Sequence, residues 1–557
     1  MVQERLLSNR WYSTTIQQFF VETCAYQPDK TAIYFEGKEI SFGELQENVN
    51  RFSQALLKLG VKRGDRVSVM PATRPEFVYA YFAVLQIGAV LNPLNLLWGV
   101  IEFEGILQRN DPGVIISVDN NAGRDYIQLL RAVIPDLKYG KGTVSSARIP
   151  ALTHLISFSR EGTKYDGFLD FNELLESGKG YDRKEMLKLT REGKCTDIQY
   201  ICQTSGTTGL AKSGLWNHRP PASSIHFLAK YLTMTPDDTY INISPLYHNV
   251  GMVLGLFMNL AYLGTTLYLM DKFDPMEAME LIDRYDITAS AGFDAHFQAL
   301  KKAFDSGKYK FKLTKIMAAI QPNAYDMIVR EMCKSEDVQV LTLFGQTENG
   351  PLVALTEPDC VDYRLRKFSN GRPLPGVEMV IKDVETGRTR LSHEQGEICY
   401  KSPYMFSGYY KQEKETAELF DEEGYFHSGD YGTFKGGYLY YYGRLGGIVK
   451  TGGENVSLTY VNQNLLKLFP DEFDDVQTLG IPDTHWGWKL VSYIRMRPGK
   501  KLRDLKEYKA ECKGKMAEYE IPKEIFPWEG PWPVTSGGKT DLNKLKAEME
   551  KLLGVKT

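Results

Sequence analysis

Residues Thr204–Gly214 read TSGTTGLAKSG. Three of these eleven residues are glycine, five carry a hydroxyl and one is lysine. Glycine lets a backbone come close to an anion and aim several N–H groups at it. Hydroxyls add donors, and lysine adds charge. The stretch has nothing with which to build a core, so its chemistry is that of a phosphate cradle. The preceding DIQYICQ, Asp197–Gln203, reads as a strand and puts the loop at a strand end. The spacing is not that of the common NTPase loop GxxxxGK[ST], because Ala211 rather than glycine precedes Lys212. Taken by itself, such a run is equally a flexible linker.

The flanking sequence reads as layered α/β. TAIYF (Thr31–Phe35) and RVSVM (Arg66–Met70) have the composition of strands. SFGE (Ser41–Glu44) is a capping box, followed at helical spacing by Leu45, Val49, Phe52 and Leu56, with Gly60 as a stop. A helix from about Pro75 to Gly88 leads into AVLNPLN (Ala89–Asn95). Strand alternating with helix predicts parallel sheets with right-handed crossovers. Between about 379 and 449, VEMVIKD, GEICYKS and GGYLYYYGR are short and glycine-punctuated, which predicts a small β-subdomain. The last hundred or so residues return to mixed α and β.

Composition excludes several classes. A net charge of −3 on 557 residues provides no global basic field for nucleic acid. No run of about 18 or more apolar residues exists, so no membrane span is expected. VGMVLGLFMNLAYLG, Val250–Gly264, reads instead as a buried helix. The seven cysteines are scattered and include no CxxC pair, which suggests neither a zinc site nor a redox pair. They suit a reducing compartment. The start, MVQERLLSNRWYSTT, lacks the apolar core of a signal peptide, and a cytoplasmic location is expected.

Five segments in a fixed order give the chain a family resemblance. TSGTTGLAK resembles the signature of the adenylate-forming enzymes: acyl-CoA synthetases, peptide-synthetase adenylation domains and luciferases. LFGQTENG (Leu343–Gly350), GYFHSGDYG (Gly424–Gly432), YYGRLGGIVKTGGENV (Tyr441–Val456) and PVTSGGK (Pro533–Lys539) resemble the family's later motifs. The likeness is closest to the AMP-forming acyl-CoA synthetases. It implies a large N-terminal adenylation domain over 1–445, made of α/β layers and the β-subdomain. A small mobile α+β domain over 446–557 would follow, with its hinge at Gly446.

The resemblance also implies the chemistry. A carboxylate would attack the α-phosphate of ATP, releasing pyrophosphate, and the thiol of coenzyme A would then displace AMP. Thr204, Ser205, Gly206, Thr207, Thr208, Gly209 and Lys212 would wrap the phosphates. Phe344, Gly345 and Gln346 would border the nucleotide. Thr347 would touch the α-phosphate, and Glu348, with Thr204, would hold Mg2+, a hard cation that prefers oxygen ligands. Asp430 would accept from the ribose hydroxyls, with Arg444 assisting. Lys539 would hold the carboxylate against the α-phosphate, a positioning and charge-stabilising role. His248, in PLYHNVG, matches a family position near the acyl pocket and the thiol path; the plain alternative is a satisfied core histidine.

Some positions depart from the family pattern. The hinge carries glycine, Gly446, where Asp or Lys is usual. Ala211 and Ser213 replace proline and glycine. AAIQPNA (Ala318–Ala324) stands where a glycine-rich segment is expected, and Asp294 stands where proline is frequent. The expected substrate is a medium-chain, aromatic or alicyclic acid. Two alternatives stay open: transfer of the acyl group to a carrier-protein thiol, and a non-catalytic nucleotide binder. The oligomeric state, a homodimer included, is also open.

Overall fold

A computed structural model describes the chain except residues 1, 205–210, 321, 452–453, 484–486, 514, 517–518, 535–539 and 555–557, and except the side chains at 323, 446, 448, 450, 454, 455 and 487. Two compact units are present. The first comprises Met1–Lys367, Gly371–Val377 and Ser402–Glu418; the second comprises Phe368–Asn370, Glu378–Lys401 and Leu419–Thr557.

The first unit is built on two sheets. One has seven strands in the order Leu169–Asp170, His154–Phe158, Val114–Val118, Arg66–Met70, Val90–Pro93, Ile198–Gln203, Ser213–Asn217. Its pairings are parallel except the last, where Ser213–Asn217 turns back along Ile198–Gln203. The other has nine strands, with a parallel centre formed by Thr31–Phe35, Thr266–Leu269, Thr239–Ile241, Ala289–Phe293, Lys315–Ala319 and Gln339–Phe344. Parallel sheets need both faces covered, and their central strands are accordingly apolar on both sides. Val114–Val118 and His154–Phe158 are buried at every residue.

The helices begin where the sequence signals it. Ser41 Oγ accepts from Glu44 N at 3.1 Å, and the Glu44 carboxylate accepts from Ser41 N at 2.8 Å. This capping box opens Phe42–Lys58, which buries Leu45, Val49, Phe52 and Leu56. Each such side chain contributes roughly 1.5–3 kcal/mol by leaving water. Gly60 follows the helix at φ +84°, a left-handed stop. The apolar stretch after His248 is a buried helix, as expected, but wound wider than an α-helix. Val250–Leu263 is buried at all 14 positions. Asn259 N–H groups satisfy the displaced carbonyls, Nδ2 donating to Leu254 O at 2.9 Å and Gly255 O at 2.8 Å. A Cβ at Gly251 would lie 2.2 Å from Pro245 O, so only glycine lets this helix start so close to the preceding turn.

The second unit is α+β. Glu378–Lys382, Gly396–Lys401, Phe426–Lys435 and Tyr438–Arg444 form an antiparallel four-stranded sheet, the β-subdomain read from the sequence. Glu454–Ser457, Ile448–Thr451, Gly487–Met496, Phe473–Asp483 and Glu524–Pro527 form another sheet. Val461, Leu465 and Phe469, spaced along and just beyond the helix Leu458–Leu468, pack on it with Phe473, Val476, Leu490 and Ile494.

Candidate active site

The cradle stretch starts just after strand Ile198–Gln203 and ends in strand Ser213–Asn217, the antiparallel pair at the edge of the seven-stranded sheet. Gln203 pairs with Ser213 and Cys202 with Gly214, and Thr204 N donates to Lys212 O at 2.9 Å. The hairpin thus closes at Thr204 and Lys212. Ser205, Gly206, Thr207, Thr208 and Gly209 fall outside the described residues. A polar network lies beneath the closure. Ser213 Oγ donates to Gln203 Oε1 at 3.1 Å, and Gln203 Nε2 donates to Asn92 Oδ1 at 2.9 Å. From one side, Arg109 Nη1 donates to Ala211 O at 2.6 Å.

Glu348 sits on a short turn, Thr347–Asn349, just past the end of the parallel strand Gln339–Phe344. The turn is tight for a reason. A Cβ at Gly345 would lie 1.6 Å from Pro351 O, so the chain folds over this glycine alone. Phe344 and Gln346 are buried, while Thr347 and Glu348 are half-buried. One segment grips Glu348 by both backbone and side chain. Phe406 N donates to Glu348 O at 2.9 Å, and Tyr409 Oη donates to Glu348 Oε1 at 2.6 Å. That segment is itself stitched to the hairpin: Ser407 N to Leu215 O at 2.7 Å, Leu215 N to Gly408 O at 2.8 Å and Tyr410 N to Ser213 O at 2.8 Å. The Lys212 ammonium lies 4.7 Å from the centre of the Tyr409 ring. Lys212 and Glu348 therefore meet on the face and the hydroxyl of one tyrosine.

Below them, Cys202 Sγ donates to Asn249 Oδ1 at 3.1 Å. Burial pushes this thiol up to about 12 against the opposing hydrogen bond, and the Glu348 charge adds to the rise. A neutral thiol is therefore kept under the carboxylate. His248, one residue before Asn249, is exposed, which removes the core-histidine alternative. Its Nδ1 accepts from Val250 N at 3.2 Å, and its ring stands edge-on to Phe293 at 5.1 Å. Phe293 lies against His296, which also meets Phe273. Burial holds the His296 imidazole down to about 4, so it is neutral at ordinary pH. The AAIQPNA segment runs from strand Lys315–Ala319 into a short helix opening at Pro322.

The second unit holds Asp430 and Arg444. They stand opposite each other on neighbouring strands, and Arg444 Nε is 3.1 Å from Asp430 Oδ1. Arg444 also donates from Nη1 to Ser428 O at 3.1 Å. The stretch of strand before Asp430 is held by Glu397, which accepts from Gly429 N at 2.9 Å and from His427 Nδ1 at 2.8 Å. Gly446 lies in a short turn, Leu445–Gly447, that follows Arg444 directly. Lys539 is outside the described residues.

Sequence reading missed Tyr409, Arg109 and Glu397. Tyr409 lies 61 residues from Glu348, and no spacing in the sequence connects the two. The SGYY run offered a glycine before an aromatic pair, which marks a tight backbone approach but not its partner.

A family model described as AMP-binding enzyme matches residues 20–410. The putative acyl-CoA synthetase YngI of Bacillus subtilis (strain 168) is 27% identical over 542 residues, 96% of this chain and 96% of its own length. The human medium-chain acyl-CoA ligase ACSF2, mitochondrial, is 26% identical over 554 residues, 98% of this chain and 89% of its own. Among solved structures, the anthranilate CoA ligase AuaEII in complex with anthranoyl-AMP shares the fold with a TM-score of 0.80 at 20% identity, covering 98% of this chain and 99% of that one. ATP-bound MatB from Rhodopseudomonas palustris does so with a TM-score of 0.79 at 22% identity, covering 97% and 100%.

Proposed function

The chain belongs to the AMP-binding enzyme family, and on that footing we propose that it is an AMP-forming carboxylic acid–CoA ligase. A carboxylate oxygen attacks the α-phosphorus of ATP and pyrophosphate leaves. The sulfur of coenzyme A then attacks the acyl carbon and AMP leaves. The observation that carries this reading is the meeting of Lys212 and Glu348 on Tyr409: a cation from the cradle hairpin and a carboxylate from a strand end are held together in one unit.

In this reading Thr204 through Lys212 binds the phosphates, with Phe344, Gly345 and Gln346 beside the nucleotide. Thr347 meets the α-phosphate, and Asp430 and Arg444 hold the ribose. Lys539 orients the attacking carboxylate, and His248 lies on the acyl and thiol side. Glu348 and Thr204 fit magnesium: both offer hard oxygens, and among the described residues Glu348 Oε2 accepts no hydrogen bond, Oε1 being the atom bonded to Tyr409. When bound, the ion would neutralise phosphate charge. Residues 446–557 rotate about Gly446 between the half-reactions. No helix among the described residues is long and apolar enough to cross a membrane, and all seven cysteines are unbridged. A cytoplasmic location suits both facts.

The substrate we propose is a medium-chain, aromatic or alicyclic acid. Two relatives support this by name, a medium-chain acyl-CoA ligase and an anthranilate CoA ligase. The Phe273–His296–Phe293–His248 ring cluster adds flat, weakly polar surface near the strand end. The test is thioester formation with ATP and free coenzyme A across short, medium, aromatic and alicyclic acids. Thioester from at least one of the last three classes is the expected result. Adenylate that forms but passes only to a carrier-protein thiol would overturn the CoA assignment.

A further inference from the structure

We infer that Tyr409 is a positioning residue that couples the phosphate hairpin to the metal-binding carboxylate, an inference that rests on the nucleotide reading above. Tyr409 reaches both partners with different parts of one side chain. Its hydroxyl donates to Glu348 Oε1 at 2.6 Å, and its ring face holds the Lys212 ammonium 4.7 Å from the ring centre. A hydrogen bond to one carboxylate oxygen fixes the plane of the group and leaves the other oxygen for a cation. Partners of this kind orient metal ligands, and their loss costs about 10–100-fold in metal affinity. An ammonium over an aromatic face is attracted by the ring's negative quadrupole, and more strongly where water is partly excluded.

The tyrosine itself has little freedom. It is 5% exposed. Its N–H donates to Thr416 Oγ1 at 2.9 Å, and its ring packs edge-on against Phe406 at 5.0 Å. Gly408 and Tyr410 are bonded to the returning strand of the hairpin, and Phe406 to the Glu348 carbonyl. The segment therefore carries hairpin and carboxylate as one body. A shift of the hairpin that accompanies phosphate binding would reach Glu348 through this segment, and the Glu348 side chain through the Tyr409 hydroxyl. The two functions also separate chemically: phenylalanine keeps the ring face and removes only the hydroxyl.

The experiment uses the full chain and two variants, Tyr409→Phe and Tyr409→Leu. Binding of Mn2+ is followed by electron paramagnetic resonance with α,β-methylene-ATP present. Binding of the analogue alone is followed by calorimetry with the metal chelated. Melting curves of each variant check the fold. Tyr409→Phe is expected to weaken Mn2+ about 10-fold while leaving metal-free analogue affinity within about twofold of wild type. Its turnover should recover at high Mg2+. Tyr409→Leu is expected to weaken both. Wild-type Mn2+ affinity in Tyr409→Phe would overturn the inference and leave the nucleotide reading intact. So would equal loss of metal and metal-free analogue binding in Tyr409→Phe. Absence of any Mn2+–analogue binding by the wild-type protein would overturn both.

Discussion

Asp430 and Arg444 face each other across two antiparallel strands, the aspartate side chain 3% exposed and the arginine 55% exposed. The carboxylate is thus sheltered and paired, while its partner reaches outward. A buried charge is retained only when it is paired and hydrogen-bonded. This pair gives a preset acceptor with a cation beside it, which is the feature the proposed ribose anchor rests on.

Asp430→Asn keeps the shape and removes the charge. Hydrogen bonds to a charged group are worth about 1.5–3 kcal/mol, so affinity for an ATP analogue should fall roughly 10- to 100-fold. Calorimetry checks this, and the melting temperature should change little. Unchanged affinity would remove Asp430 from the nucleotide site.

Gly345→Ala acts through shape. The new Cβ cannot coexist with Pro351 O at 1.6 Å, so the turn that presents Thr347 and Glu348 must move. A displacement of about 1 Å in a positioned group costs on the order of 100-fold in rate. Adenylation should fall by that order while the sheets stay intact by circular dichroism.

Stability should drop in mild acid. Burial pushes the His218 imidazole down to about 3, with the Arg63 charge adding, and His226 down to about 4. Above pH about 6.5 neither group takes a proton in the folded or the unfolded chain. Below it the unfolded chain gains protons that the folded chain refuses, and stability falls with pH until the folded values are reached. At pH 5.5 the loss should be about 1 kcal/mol for each histidine. Protonation of His218 would also end its acceptance from Ile16 N at 3.3 Å, which ties the start of helix Ile16–Tyr26 to the start of helix Arg219–Tyr231. Urea midpoints at pH 7.5 and 5.5 measure the effect, and His226→Gln should recover part of the difference.

Gly446→Pro tests the hinge. Proline fixes φ near −65°, and a blocked rotation should slow thioester formation more than adenylation. Equal loss of both half-reactions, by pyrophosphate release and thioester yield, would refute a hinge at this residue.

Much of the fold was legible because it rests on local signals. Thr31–Phe35 and Arg66–Met70 are strands over the residues their composition indicates. The Ser41–Glu44 box caps its helix as read. The wide winding of Val250–Leu263 was not legible. An all-apolar run has no periodicity with which to choose a register, and Asn259 satisfies carbonyls only once the helix is packed. The cradle's place at a strand end followed from the strand before it. Its second wall did not, because Tyr409 meets Lys212 and Glu348 only through strand pairing at the hairpin edge. Likewise Glu397 supports Asp430 from a neighbouring strand, and cross-strand support has no sequence spacing.

The most direct test of the central claim is ATP–pyrophosphate exchange with and without a carboxylic acid, in wild type and in Lys539→Ala. The account predicts exchange that depends on the acid and falls by orders of magnitude in the variant, while preformed acyl-adenylate still yields thioester with coenzyme A. Exchange absent from the wild type with every acid class, or undiminished in Lys539→Ala, would contradict it.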